Sequence, residues 1–425
     1  MGFNNFETVK LPEIGTLSRG KSKHRPRYDP VLYGGKYPFI QTGDIRKAGK
    51  RIKDFEQSYS EVGLSQSKLW KKDTLCITIA ANIAETSILD FEACFPDSVV
   101  GFIPDTSRCS IDYIYYYFQY FKKEIQSRAY GSVQENINLK VLNDIDIILP
   151  SLHIQNKITS ILSPLDEKIE VNNKVIQNLE EFAQTFFKRW FVDFEFPNEN
   201  GEPYKSSDGE MVESEIGLVP VEWQVGKASD IFHFSPKTTL KKGELVDYIE
   251  MKDLNDSAVI HSWKKRVFSG SGSKFINGDT LLARITPCLE NGKIGYVEFM
   301  EKEEVGWGST EFITIRSKEG YPKTLTYFFA SNPDFKNYAI SNMNGSSGRQ
   351  RVNHQTLGNY SCVVYPIEIT HKFAEIADEI MEMMSNMRNE INTLINIRET
   401  LLPKLLSGEI ELSDETEVTE HVPIP

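Results

Sequence analysis

Apolar positions along this chain follow two periods, and the change from one to the other happens twice. Up to residue 150 the apolar runs are short and either alternate or run unbroken, as in 37–41, 74–79, 98–103 and 145–149. Runs of that length predict strands. A single helix is predicted from 112 to about 128. After Pro150 the period lengthens. Leu165, Ile169, Ile176, Leu179, Ala183, Phe186 and Trp190 step by three, four or seven, as a coiled-coil seam does. Asn172 falls on that seam, where a polar side chain can fix register. Ser163 suits an N-cap and Pro164 a first helical turn. The pattern therefore predicts a short helix, a break, and a long helix from 164 to about 191. Strand-like runs return over 221–366. A second long helix follows, with Ile376, Ile380, Met383, Met387, Ile391, Leu394, Leu401 and Leu405 on its seam. Pro403 lies near its end and Gly408 is placed to stop it.

The two long segments match position by position. Ile154, Lys157, Ile158, Ile161, Leu165, Ile176, Leu179, Thr185, Phe186 and Phe187 correspond in order to Ile369, Lys372, Phe373, Ile376, Ile380, Ile391, Leu394, Thr400, Leu401 and Leu402. The offset is constant at about 215 residues, the signature of an internal repeat. The globular stretches repeat as well. Asp73-Thr74-Leu75 matches Asp279-Thr280-Leu281, and Tyr116-Tyr117-Phe118 matches Tyr327-Phe328-Phe329. Ile137-Asn138 followed by Leu142 and Pro150 matches Val352-Asn353 followed by Leu357 and Pro366. Each seam is apolar along its length and needs a long partner, most cheaply the other helix packed antiparallel. The fold expected is α+β: two repeated globular α/β heads separated by two long antiparallel coiled-coil helices, with a pseudo-twofold relation. The expected divisions are 1–150, a first head; 151–196, a helical rod; 197–220, a linker rich in Pro, Gly, Ser and acid; 221–366, a second head; 367–412, a second rod; and 413–425, an acidic and disordered tail.

Composition narrows the class. A chain of 425 residues can hold two or three domains, and 40% apolar with 25% charged residues is ordinary for a globular protein. No run approaches the ~20 apolar residues of a membrane span, and the N-terminus shows no apolar signal region. Five scattered cysteines without a C-x-x-C pair indicate neither a disulfide framework nor a zinc site. A cytoplasmic location is expected. The net charge of −12 speaks against nucleic acid until it is divided along the chain. Residues 1–150 carry 20 Lys and Arg against 18 Asp and Glu, and residues 221–366 carry 18 against 16. Residues 151–220 carry 6 against 13, and 367–425 carry 4 against 13. Within 10–53 there are 12 basic residues and 3 acidic ones. Local patches, not the total, govern contact with nucleic acid.

Those patches are the main chemical signal. Arg19, Lys21, Lys23, Arg25 and Arg27 alternate along the first head and are followed by Arg46, Lys47, Lys50 and Arg51. The second head has Lys264, Lys265, Arg266, Lys274, Arg284 and Lys293. Lysines suit phosphate, and arginines can also read guanine edges. Gln134, Asn136, Arg349, Gln350 and Arg351 lie beside two Gly-Ser turns, Gly131-Ser132 and Gly345-Ser346.

Enzymatic motifs are near misses. Gly15 to Ser22 fits G-x-x-x-x-G-K-[ST], but Pro26 and Pro30 oppose the helix that a phosphate loop needs. Phe268-Ser269-Gly270-Ser271-Gly272 and Asn332-Pro333-Asp334-Phe335 approximate the cofactor loop and catalytic motif of amino-methyltransferases. This leaves a stand-alone adenine methyltransferase as the alternative function. The seven histidines form no ligand spacing, and no G-x-S-x-G occurs. Glu250-Met251-Lys252 lacks the preceding Asp that a nuclease needs. No catalytic, cofactor-binding or metal-ligating set emerges.

The whole pattern resembles the specificity subunit of a type I restriction-modification system. The resemblance rests on the head–rod–head–rod repeat and on three local segments. Phe186-Phe187-Lys188-Arg189-Trp190-Phe191-Val192-Asp193-Phe194 closes the first rod. Leu218-Val219-Pro220-Val221-Glu222-Trp223 opens the second head, and Leu401-Leu402-Pro403-Lys404-Leu405-Leu406-Ser407-Gly408 closes the second rod. The first head departs from the pattern, with Lys10-Leu11-Pro12 in place of a Pro-x-x-Trp opening. The resemblance implies two target-recognition domains, each reading half of an interrupted double-stranded DNA site. It also implies a coiled coil that sets the gap and a chain without catalysis of its own. Two methyltransferase subunits would bring S-adenosylmethionine, and two motor-nuclease subunits would bring ATP and Mg chemistry.

Overall fold

The computed structural model describes residues 6–80, 83–130, 139–301, 303–346 and 348–412. Five helices organise it: α1 (Ile111–Tyr130), α2 (Leu152–Phe191), α3 (Leu325–Ser331), α4 (Pro333–Ser341) and α5 (Ile367–Ser407). The chain divides into two compact units, Met1–Glu170 with Thr393–Pro425, and Val171–Asn392. Each unit therefore combines one head with part of both long helices.

In the first unit, strand Glu7–Lys10 pairs antiparallel with Asp146–Leu149, so the head's first strand meets its last. One sheet runs in the order Gly15–Arg19, Val99–Pro104, Leu75–Thr78, Thr86–Leu89, Arg51–Ile52. A second runs Gln57–Tyr59, Tyr33–Phe39, Ala93–Cys94, Leu69–Trp70. Helix α1 explains its own placement. Tyr113, Tyr116 and Tyr117 recur at helical spacing and are all buried. A buried tyrosine needs a partner for its hydroxyl. Tyr113 donates to the Ile148 carbonyl at 2.6 Å and Tyr117 to the Asp146 carbonyl at 2.7 Å. Tyr116 donates to the Asp166 carboxylate of α2 at 2.7 Å. The end of α5 packs here too. Leu402, Leu405 and Leu406 share one core with Ile154, Ile158 and Leu162, and Arg398 pairs with Asp166 at 2.6 Å.

The second unit repeats the topology. Gln224–Lys227 pairs antiparallel with Ser361–Val364. Its sheets run Phe232–Phe234, Phe312–Ser317, Thr280–Ala283, Ile294–Tyr296, and Lys264–Val267, Leu245–Ile249, Val305–Gly308, Ser273–Ile276. One parallel pairing recurs at the same place, Phe39 with Cys94 in one head and Tyr248–Ile249 with Trp307–Gly308 in the other. Where the first head has α1, the second has α3 and α4, divided at Asn332-Pro333. Here the end of α2 packs on the start of α5. Phe186, Phe187, Trp190 and Phe191 surround Phe373, and Asn172, buried on the seam, donates to Glu390 at 2.8 Å. Within each unit the two helices run antiparallel.

Three expectations change. The predicted break at Pro164 does not occur, because α2 is continuous from Leu152 to Phe191. Ile158 and Leu162 on one side and Asp166 on the other are all held by tertiary partners, which outweigh one missing backbone donor. Ile376 and Met383, 40% and 51% exposed, lie off the seam. On a 3.6-residue period Phe373, Ala377, Ile380 and Met384 share the buried face, and the ring of Phe373 takes the central place. Of the other seam positions, Ile176, Trp190, Ile380, Ile391 and Leu405 are buried, whereas Leu165, Ile169, Leu179, Phe186, Met387, Leu394 and Leu401 are half-buried. Residues 197–220, read as a linker, contain a hairpin of Met211–Ser214 with Gly217–Pro220. Phe196 stacks on both Tyr204 and Trp223 at 4.7 Å, which anchors this arm. The acidic tail, 413–425, lies outside the described residues. Among the described residues, no helix is long and apolar enough to cross a membrane.

Candidate nucleic-acid interface

In the first head, strand Gly15–Arg19 leads into a loop over 20–30. Gly20 is required at the turn, since a Cβ there would lie 2.3 Å from the Phe95 carbonyl oxygen. Arg19, Lys21 and Lys23 are exposed, and their side chains have no ion pair among the described residues. Their neighbours are engaged. Arg25 folds back onto the carbonyls of Ser22 (2.8 Å) and His24 (2.7 Å), and Arg27 pairs with Asp97 at 3.1 Å. Arg46 and Lys47 form the last turn of Thr42–Lys47, with Lys47 on Glu56 at 2.5 Å.

Lys50 and Arg51 do different work. Lys50 is largely buried and joins Asp112 of α1 (2.7 Å) to Ser163 of α2 (2.6 Å). Arg51 meets Asp73 at 2.8 Å and Asp90 and Asp112 at 3.6 Å. These two hold the head to its helices. Gln134 and Asn136 lie outside the described residues.

The second head gathers its cations in three places. On the edge strand Lys264–Val267, Lys264 and Arg266 converge on Glu250 at 2.7 and 3.3 Å. Lys252 reaches the same carboxylate at 2.7 Å. Hydrogen bonds from Lys252, then Lys264, push the Glu250 carboxyl down to about 2. Lys265 faces Asp247 at 3.4 Å, and Lys293 donates to the Met251 carbonyl at 2.8 Å. Arg284 and residues 349–351, remote in sequence, come together. The Val352 amide donates to the Arg284 carbonyl at 3.0 Å, and the Gln350 amide to Thr286 Oγ1 at 3.1 Å. Arg351 grips Glu311 through Nε and Nη2 at 2.7–3.0 Å, which lowers that carboxyl's pKa. Arg349 stays exposed beside them.

Comparing the heads shows residues that the sequence analysis missed. The loop 20–30 joins the first strand of one sheet to the central strand of the other. In the second head the loop 235–244 makes the same connection, and it carries exposed Lys237, Lys241 and Lys242. Lys68 was missed as well. It opens Lys68-Leu69-Trp70-Lys71-Lys72-Asp73-Thr74, as Lys274 opens Lys274-Phe275-Ile276-Asn277-Gly278-Asp279-Thr280. Each lysine lies by an aromatic ring: Lys68 Nζ is 3.5 Å from the Trp70 centroid and Lys274 Nζ 5.4 Å from that of Phe268. Lys68 also approaches Ser18 Oγ at 3.3 Å, and burial and then Lys21 lower its pKa. Extending the Asp-Thr alignment backwards would have found it.

The near-motifs resolve into ordinary structure. Residues 15–19 form a strand, and no helix begins at Lys21, so no phosphate loop exists there. Phe268 is buried against Trp307, and Gly270 and Gly272 turn the chain at φ +105° and +120°. Asn332 caps α4 by accepting from the Asp334 amide at 2.8 Å. Among the described residues, no group of His, Cys, Asp and Glu could hold a metal ion.

The repeated heads and the antiparallel helices define a protein built from one head-and-helix unit used twice. A family model for the type I restriction modification DNA specificity domain matches residues 4–181 and again 220–396. The chain belongs to that family, as a non-catalytic DNA-specificity subunit of a type I restriction-modification system. It is 21% identical to the type I restriction enzyme MjaIX specificity subunit of Methanocaldococcus jannaschii, over 96% of this chain and 94% of that one. It is 24% identical to the HindI specificity subunit of Haemophilus influenzae, over 69% of this chain and 74% of the other. A crystal structure of the type I restriction-modification S subunit from M. genitalium shares the fold, with a TM-score of 0.56, 16% identity and 98% of each chain covered.

Proposed function

We propose that each head reads one half of an asymmetric, interrupted DNA site, and that α2 and α5 set the gap between the halves. Phosphate contacts come from Arg19, Lys21, Lys23 and Lys68 in the first head, and from Lys237, Lys241, Lys242, Lys274 and Arg349 in the second. Two methyltransferase subunits dock on the chain and carry S-adenosylmethionine to adenine. Two motor-nuclease subunits, with ATP and Mg, complete the restriction assembly in the cytoplasm. This chain itself binds no cofactor. The observation that carries the reading is the shared strand order of the heads, with lysine-bearing loops at the same topological position.

Equivalent folds with different loop sequences imply separable readers. Replacing residues 1–150 by the corresponding head of another family member should change one half of the methylated site and leave the other intact. Sequencing methylated bases in DNA exposed to the exchanged chain with its methyltransferase partner reads the outcome. A change in both halves would defeat the modular reading.

A further inference from the structure

The loop 20–30 is built more firmly than a phosphate-binding loop requires. His24 Nε2 and Asp29 Oδ2 bond at 2.9 Å, and the other Asp29 oxygen accepts from the Val31 amide at 3.1 Å. The two Arg25 bonds to backbone carbonyls close the loop from within. Arg27 ties it to Asp97 across the head, and Tyr33 Oη donates to the Arg27 carbonyl at 2.8 Å. Gln66 Oε1 accepts from the amides of Lys23 and His24 at 2.6 and 3.1 Å.

All this bracing leaves one aromatic side chain of the loop outside. Tyr28 is 84% exposed, more than any other large hydrophobic residue among the described residues. A tyrosine brings a large rigid contact area at low entropic cost, which is why it recurs at recognition surfaces. The loop's bonds hold its backbone in place before any partner arrives. Exposed Lys21 and Lys23, on the same loop, would fix a phosphate backbone next to it.

We infer that Tyr28 is a base-contacting residue of the first head, its ring meeting the bases of the first half-site while Lys21 and Lys23 hold the adjoining phosphates. The inference rests on the proposed role of the heads as half-site readers. Phosphate contacts position a protein, whereas base contacts supply specificity, so the two residue types separate in their effects.

The test compares Tyr28→Ala and Tyr28→Phe with a Lys21→Ala, Lys23→Ala double variant. Each is the full chain, assembled with its methyltransferase subunits. The probes are a duplex bearing the site that the wild-type complex methylates and a duplex of equal length and composition without it. Tyr28→Ala should lose about 10- to 100-fold in affinity for the first duplex, the usual size of one good base contact, with little loss on the second. Its salt slope should stay at the wild-type value, whereas the lysine double variant should lose about two from the slope. Tyr28→Phe should keep most of the affinity, since the ring makes the contact. Equal losses on both duplexes, or no loss on either, would overturn the assignment, as would a Phe variant as weak as Ala. Tyr28 packs on nothing that folding needs, and a melting curve matching wild type excludes misfolding. The exchange of residues 1–150 separates the two levels. A switched half-site with an inert Tyr28→Ala defeats only the Tyr28 assignment, and an unswitched half-site defeats the half-site reading itself.

Discussion

Glu180 shows how far a single residue can depart from its place in a sequence. It follows Leu179 on α2 and belongs to no motif or basic patch singled out in the sequence. In the second unit it is buried, accepting from the Ala258 amide at 2.9 Å and from the hydroxyls of Ser257 and Tyr327. Burial raises its pKa to about 7, although Ser257 and Ala258 partly oppose the shift. The folded state therefore holds a proton that the unfolded state releases above the ordinary value of 4.5. Stability from this group is fully present below that value and is lost as pH rises through about 7, an effect on the order of 2–3 kcal/mol. Melting curves from pH 5 to 8 should show a declining wild-type midpoint, with a flatter profile for Glu180→Gln. Parallel profiles would rule out Glu180 as the titrating group. A second residue-scale prediction separates cations that look alike in sequence. Lys50→Ala strips the nearer of two cations from Asp112 and the donor from Ser163, and should cost on the order of 1–3 kcal/mol in denaturant titrations, with the DNA salt slope unchanged. Adding Lys68→Ala to the Lys21, Lys23 pair should lower the slope by about one more and leave stability nearly intact. The alternation of basic residues over 19–51 was legible, but their division of labour was not. It depends on Asp112 and Ser163, which lie far along the chain from Lys50.

At the scale of elements, periodicity carried most of the information. The helix predicted over 112–128 is α1, and the strand runs near 37–41, 74–79, 98–103 and 145–149 are all strands. Gly408, at φ +73°, ends α5 as a left-handed glycine should. Heptad stepping found both long helices, yet it could not choose between neighbouring apolar positions. Phe373 and Ile376 both fit the pattern, and only the aromatic cluster around Phe373 decides. Phe373→Ala should destabilise the second unit by about 3–5 kcal/mol, whereas Ile376→Ala should cost under ~1 kcal/mol. Thermal or urea unfolding of the two variants settles the seam, and equal costs would return Ile376 to it. The folded arm over 197–220 was hidden for a different reason. Pro, Gly, Ser and acid are what linkers are made of, and the contact that orders them is the stack of Phe196 on Tyr204 and Trp223.

For the molecule as a whole, duplication is the organising fact, and it was visible in the sequence as a constant offset. It makes the spacing of the proposed half-sites a property of helix length. The compact units divide within α2 after Glu170 and within α5 after Asn392. Asp166 with Arg398 belongs to one unit, and Asn172 with Glu390 to the other. A heptad inserted at both points leaves those pairs and both heads untouched, and it preserves the 3.5-residue seam. Seven helical residues add ~10 Å, and DNA rises ~3.4 Å per base pair. The complex should then methylate a site with the same two halves and a gap about three base pairs longer. Inserting two residues at each point would rotate the seam away from its partner and should cost assembly. Mapping methylated bases with each variant provides the measurement. An unchanged gap in a heptad variant that still methylates DNA would exclude the helices as the spacer.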